Sequence, residues 1–297
     1  MKQLKLDLER VKKEPCYLKN IKQNYELCLE IIRQCGEALS FVKWDELNLT
    51  KKQKHNIFVE AVKQNGLAIR YIEEQTPELC LIALKQNNKA LKYIENQTEE
   101  MCLREVRKDA RALEYIKKHN YKLCLEAVTQ WGVSLKYINW NDMSITDKQK
   151  YNLYVKAVKQ EGLALLWIEE QTEELCIEAV KQRGLLLSRV KEQTEKVCLE
   201  AVKENGLALE YVKEQTPEIC LEAVKENGLA LRFVKNQTEI MCKEAVMENG
   251  LALLWVNNPT EELSLIALKQ RGDCKLICAF KDNFYFIATI IYLLLIF

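Results

Sequence analysis

Every glycine in this chain falls on a single ruler. Gly36, Gly66, Gly132, Gly162, Gly184, Gly206, Gly228, Gly250 and Gly272 each follow, by eight residues, an anchor that is usually cysteine. The anchors are Cys28, Phe58, Cys80, Cys102, Cys124, Tyr154, Cys176, Cys198, Cys220, Cys242 and Ser264. They step by 22 residues, with 30-residue steps only from Cys28 to Phe58 and from Cys124 to Tyr154. A repeat this short cannot enclose a core of its own, so it must bury its apolar stripe against its sequence neighbours.

Each repeat spells out the start and stop of a helix. A capping residue stands four positions before the anchor, as at Thr76, Thr98, Thr172, Thr194, Thr216, Thr238 and Thr260, with Asn24 and Asn120 in two others. Its side-chain oxygen suits the free amides of a first helical turn. Pro77 and Pro217 follow where a missing N–H costs nothing. Apolar residues at anchor −1, 0, +1, +3 and +4, such as Leu79, Cys80, Leu81, Ala83 and Leu84, form a helical stripe. This first helix is expected to run about twelve residues. The glycine after it is expected at positive φ, with Asn88 tolerating that conformation and Ala110 sitting in a less regular turn. A second helix of about two turns follows, as in Leu207-Ala208-Leu209 and Tyr211-Val212.

The fold class that results is all-α: an α-solenoid of about eleven 22-residue helix-turn-helix repeats, two of them 30 residues long. Residues 1–27 read as a degenerate N-terminal capping repeat, with Leu18 and Ile21 in apolar slots and Pro15 in the glycine slot. Residues 28–272 are the array, and 273–297 a last partial helix with an apolar tail. A larger duplication is visible too, because Trp44 to Thr50 returns as Trp140 to Thr146 after 96 residues. In both long repeats a capping box, Thr50 with Gln53 and Thr146 with Gln149, predicts one extra turn of first helix. Their aromatic anchors, Phe58 and Tyr154, suggest a bend or widening of the stack.

The unit Thr-x-Glu-x-Cys-x-x-Ala-Val-Lys-x-Asn-Gly-Leu-Ala-Leu-x-Tyr-Val, clearest around residues 205 to 209 and 227 to 231, resembles the repeat known as domain of unknown function 4116. Members of that family are common in giant viruses of amoebae and in bacteria that live in protists. The resemblance covers roughly residues 28 to 272. It implies a helical array and a host-associated setting, and no activity.

Chemistry-bearing residues are few or periodic. Eight of the twelve cysteines are anchors. Equivalent positions in neighbouring repeats lie ~8–10 Å apart, too far for disulfides or for shared zinc, so they read as buried, reduced packing residues. Cys274 and Cys278 form the one i,i+4 pair that invites an ion, without further ligands nearby. An aromatic column at anchor +13 (Phe41, Tyr71, Tyr93, Tyr115, Tyr137, Trp167, Tyr211, Phe233, Trp255) could stack bases. Packing between repeats is the stronger reading. A basic column at anchor +5, from Arg33 to Lys269, has glutamates three residues earlier at Glu30, Glu60, Glu178, Glu200 and Glu222. It therefore reads as a mixed-charge face. With 44 basic against 43 acidic residues, nothing steers the chain to a polyanion, and nucleic acid is not an expected partner.

No phosphate loop, catalytic triad or isolated carboxylate pair stands out, so neither enzyme activity nor a cofactor is expected. Departures from the repeat are better pointers. Anchor +12 is polar at Arg70, Lys92 and Arg232 but apolar at Leu166 and Leu254, beside Trp167 and Trp255. Together these seven residues are the candidate partner-binding positions, unless the geometry of the stack covers the two leucines. The expectation is a non-enzymatic scaffold that binds a protein along its concave face, in the cytoplasm, or the host cytoplasm if the chain is viral. A structural or membrane-tethered viral component is the alternative. It rests on the uncharged tail 284–297, which reads as a shallow membrane anchor, a hydrophobic cap or the remnant of a broken repeat.

Overall fold

A computed structural model describes residues 9, 10 and 13–271. Among them there is no strand; eleven α-helices alternate with short 3-10 helices. The α-helices are α1 (Tyr25–Gln34), α2 (Lys51–Gln64), α3 (Pro77–Gln86), α4 (Glu99–Lys108), α5 (Tyr121–Gln130), α6 (Asp147–Gln160), α7 (Glu173–Gln182), α8 (Glu195–Glu204), α9 (Pro217–Glu226), α10 (Glu239–Glu248) and α11 (Glu261–Arg271). The chain is an all-α repeat array, one α-helix per anchor. Its contacts gather into two compact blocks, the first ending at Lys150 and the second beginning at Tyr151, within α6.

Inside each block, consecutive α-helices pack on one another, and consecutive 3-10 helices do the same. The buried residues are those of the repeat stripe. In α9 they are Ile219, Cys220, Ala223 and Val224, and in the following 3-10 helix, Gly228–Phe233, they are Gly228, Ala230 and Leu231. Neither helix is long enough to persist alone, and each gains its stability from both neighbours.

The helix starts follow the sequence. Thr76, Thr98, Thr172, Thr194, Thr216 and Thr238 each accept from the amide three residues on, as do Asn24 and Asn120. Both capping boxes form, and α2 and α6 reach fourteen residues where the other complete helices have ten or eleven. The remaining inserted residues include a three-residue 3-10 turn, Trp44–Glu46 or Trp140–Asp142. Pro15–Asn20 forms a six-residue 3-10 helix like those that begin at glycine, with Leu18 fully buried.

The helix ends differ from expectation in three ways. The first helix is ten residues long because the chain leaves it one residue before the glycine. That residue, Asn205 in one repeat, is extended (φ −152°, ψ 108°), and its side chain caps the 3-10 helix by accepting from Leu207 N–H at 3.0 Å. Asn65, Asn87, Asp109, Asn227 and Asn249 do the same. The second helix is 3-10, six residues in two turns.

The third difference concerns the glycines. None of Gly36, Gly66, Gly162, Gly184, Gly206 or Gly228 has positive φ. The constraint is proximity: a β-carbon on Gly36 would lie 2.5 Å from the carbonyl oxygen of Ala61 in the next repeat. At Gly66, Gly184, Gly206 and Gly228 the equivalent alanine oxygen (Ala83, Ala201, Ala223 and Ala245) would be nearer still. The glycine amide also donates to the next repeat, for example Gly66 N–H to Gln86 Oε1 at 2.6 Å and Gly228 N–H to Glu248 Oε2 at 2.6 Å. Since no unusual φ is required, Ala110 begins a regular 3-10 helix, Ala110–Tyr115, rather than an irregular turn.

The tail readings, and Cys274 and Cys278, lie outside the described residues. Among those described, no helix is long and apolar enough to cross a membrane.

Candidate functional site

The repeats are stitched by a row of mostly half-buried glutamines one residue before the cap. Gln193 shows the pattern: Nε2 donates to Leu187 O of the preceding 3-10 helix and to Tyr211 O of its own repeat's, while Oε1 accepts from Lys213 N–H. Gln23, Gln75, Gln97, Gln171 and Gln237 repeat all three bonds. Each glutamine closes the ends of two successive 3-10 helices. In the fifth repeat His119 substitutes, with Nε2 on Leu113 O at 3.1 Å and Nδ1 accepting from Asn139 N–H at 3.0 Å. That pairing uses the ring as one donor and one acceptor, as in the neutral imidazole.

The glutamines also explain the anchor cysteines. In addition to packing, Sγ of Cys28, Cys176, Cys198, Cys220 and Cys242 donates to the glutamine Oε1 at 3.6–3.9 Å. All ten described cysteines are free. Burial pushes the Cys28, Cys102 and Cys176 thiols up to about 11 and Cys124 up to about 12. An unfolded cysteine ionises near ~8.5, so above that pH the unfolded chain gives up protons that the fold retains. The thiols' contribution is thus full below about pH 8.5 and is lost as pH rises through about 11. Thermal melting across that interval is expected to show falling stability, and Cys176→Ser should make the fall shallower. A slope that Cys176→Ser leaves unchanged would count against this origin.

On the outer face of the α-helices, most of the basic column is paired within or between repeats. Glu60 receives Lys63 at 3.1 Å and Arg33 of the previous repeat at 3.1 Å, and these partners, Lys63 foremost, hold its carboxyl below the usual range. Glu200 likewise meets Lys203 and Lys181. One helix departs from this order. Glu105, fully buried in a slot that is usually alanine, is held at Oε1 by Arg104 and Lys108, while Oε2 has no hydrogen-bond partner.

The opposite face, made of 3-10 helices, carries the candidate residues. Anchor +12 points outward: Arg70, Lys92 and Arg232 are exposed, and so are Leu166 (43%) and Leu254 (44%). The stack therefore leaves both leucines uncovered. The aromatic column is less buried than inter-repeat packing alone implies. Tyr71, Tyr93 and Phe233 are half-buried, while Trp167 (37%), Tyr211 (37%) and Trp255 (46%) are exposed. At two of the cationic +12 positions an arginine covers the rings. The Arg70 guanidinium lies 4.6 Å from the Tyr71 centroid and 5.9 Å from Tyr93 in the next repeat, and Arg232 lies 4.4 Å from Phe233. Leu166 and Leu254 supply no such cation, and an apolar edge is left beside each tryptophan. Lys92 has no ring contact of this kind among the described residues.

The chain matches a family model in two stretches. The model, described as Domain of unknown function (DUF4116), aligns with residues 56–98 and 194–241. Each stretch holds the extended asparagine, the closely approached glycine and the bridging glutamine described above. No curated protein and no solved structure matches the chain.

The sequence alone pointed to the exposed leucines and tryptophans. It did not reveal the glutamine row, although Gln immediately before the capping Thr at 75, 97, 171, 193, 215 and 237 was an available signal. A side chain that bonds residues 18 and 20 positions ahead leaves no local trace of its purpose.

Proposed function

We propose that this chain is a non-enzymatic scaffold that holds a partner protein on the row of 3-10 helices in the block beginning at Tyr151. What supports this reading is the uncovered pair Leu166 and Trp167 in Gly162–Trp167, repeated as Leu254 and Trp255 in Gly250–Trp255. Aromatic and aliphatic side chains exposed on rigid elements are the usual anchors of protein interfaces. They stand at the two ends of a row whose middle members offer Arg189, Tyr211 and Arg232, so contact would combine apolar ends with a polar centre. The family resemblance suggests that the partner belongs to a viral or host-associated setting.

The test is a capture experiment on the full chain with Leu166→Glu and Leu254→Glu, singly and together. Because both leucines are exposed, melting temperatures are expected to stay within about 2 °C of the parent, as for surface changes of ~0.5 kcal/mol. A protein captured by the parent and lost from the double variant supports the reading. Strong destabilisation by either change, or an unaltered set of captured proteins, overturns it.

A further inference from the structure

The first long repeat builds a cleft that the function proposed above does not use. Its volume is about 570 Å³. Three half-buried rings line it: Trp44 from the inserted 3-10 turn, Phe58 from α2 and Tyr71 from the end of the next 3-10 helix. Trp44 and Phe58 meet edge to face at 5.3 Å and 63°, so the tryptophan brought in by the eight-residue insertion packs on the aromatic anchor that replaces cysteine. Four exposed carboxylates, Asp45, Glu46, Glu73 and Glu74, also line the cleft. Only Glu46 has an ion pair there, with Lys43 at 3.5 Å. Asp45, Glu73 and Glu74 have none among the described residues.

A cation already lies against the rings. The Lys54 ammonium, on an exposed and flexible side chain, lies 5.2 Å from the Trp44 centroid and 5.7 Å from that of Phe58. This is the distance at which ring quadrupoles attract a positive charge. Aromatic walls with a surplus of acid over base, and an ammonium of the chain's own resting beside two of the rings, describe the chemistry of the expected guest. We infer that this cleft binds an organic ammonium group, displacing Lys54, with the rings holding its alkyl surface and the carboxylates its charge. The guest is either a free quaternary amine or a methylated lysine side chain of another protein; both present the same headgroup.

The experiment titrates the full chain by calorimetry with choline, with a short peptide carrying trimethyllysine, and with 3,3-dimethyl-1-butanol, the neutral isostere of choline. Both cations are expected to bind, and the isostere at least tenfold more weakly. A peptide at least tenfold tighter than choline identifies a protein side chain as the source, and the reverse order a free amine. Lys54→Met should tighten cation binding several-fold by removing the internal competitor, while Trp44→Leu should abolish it. Because Trp44 also packs on Phe58, the exposed changes Glu73→Gln and Glu74→Gln provide a second arm, expected to weaken binding and flatten its salt dependence. No heat with either cation for the parent and for Lys54→Met overturns the inference. So does equal binding of the neutral isostere, or affinity indifferent to Lys54→Met and to both glutamate changes.

Discussion

Replacing Gly206 by alanine is expected to destabilise the array by about 3 kcal/mol or more, the upper range for forcing a methyl group into a filled space, and to lower the melting temperature by roughly 6 °C or more. The added carbon would press on the Ala223 carbonyl oxygen, a backbone atom that cannot rotate away, and would also crowd Asn227. Relief requires separating α9 from the 3-10 helix Gly206–Tyr211, and with it the interface that both repeats use for stability. The effect should be graded by distance. Gly162→Ala, whose new carbon would lie 3.0 Å from Ala179 O and Leu186 Cδ1, should cost less than Gly36→Ala at 2.5 Å, and that less than Gly206→Ala. Urea unfolding of the three variants gives the order. Equal costs at all three sites would instead indicate a shared conformational cause.

Gln193→Leu is expected to cost roughly 2–4 kcal/mol, because it leaves Tyr211 O and Lys213 N–H without their protein partner, at about 1–3 kcal/mol for each group that water fails to reach, and leaves Leu187 O with the Val190 N–H alone. It also removes the acceptor of the Cys198 thiol. Gln193→Glu should be worse, since a carboxylate keeps the acceptor but has no hydrogen to offer the two carbonyls. Gln193→His should be mildest, because His119 already fills this role in its own repeat with one nitrogen donating and the other accepting. Thermal melting of the three proteins decides the order, and a leucine variant as stable as the parent would show the glutamine row to be dispensable.

These two cases also show where sequence reading succeeds and where it stops. The capping threonines, the proline starts, the extra turn of α2 and the buried stripe were legible because each depends on residues within four positions of one another. Glycine was placed correctly and explained wrongly. Its spacing is the same whether it supplies positive φ or makes room, and the choice depends on Ala223 O, an atom seventeen residues downstream. Ala110, expected in a less regular turn, begins a regular 3-10 helix for the same reason. The glutamine row, the inter-repeat pairing of Arg33 with Glu60 and the cleft beside Trp44 all bring together residues from different repeats, and helical periodicity carries no information at that range. Leu166 and Leu254 are the exception: a polar column interrupted by leucine is visible in the sequence itself, where eight other repeats, from Ser40 to Arg232, carry a polar residue, and only whether the stack covers the leucines needs the structure.

The glutamine row has one more consequence. Every glutamine connector opens its own repeat, which it ties at the same two offsets ahead, and reaches back to the 3-10 helix before it, so any whole 22-residue segment carries both a plug for the last copy and a socket for the next. A gene encoding such a chain can gain or drop one of these cassettes without redesigning any joint, and the length of the array becomes a quantity that simple duplication can tune.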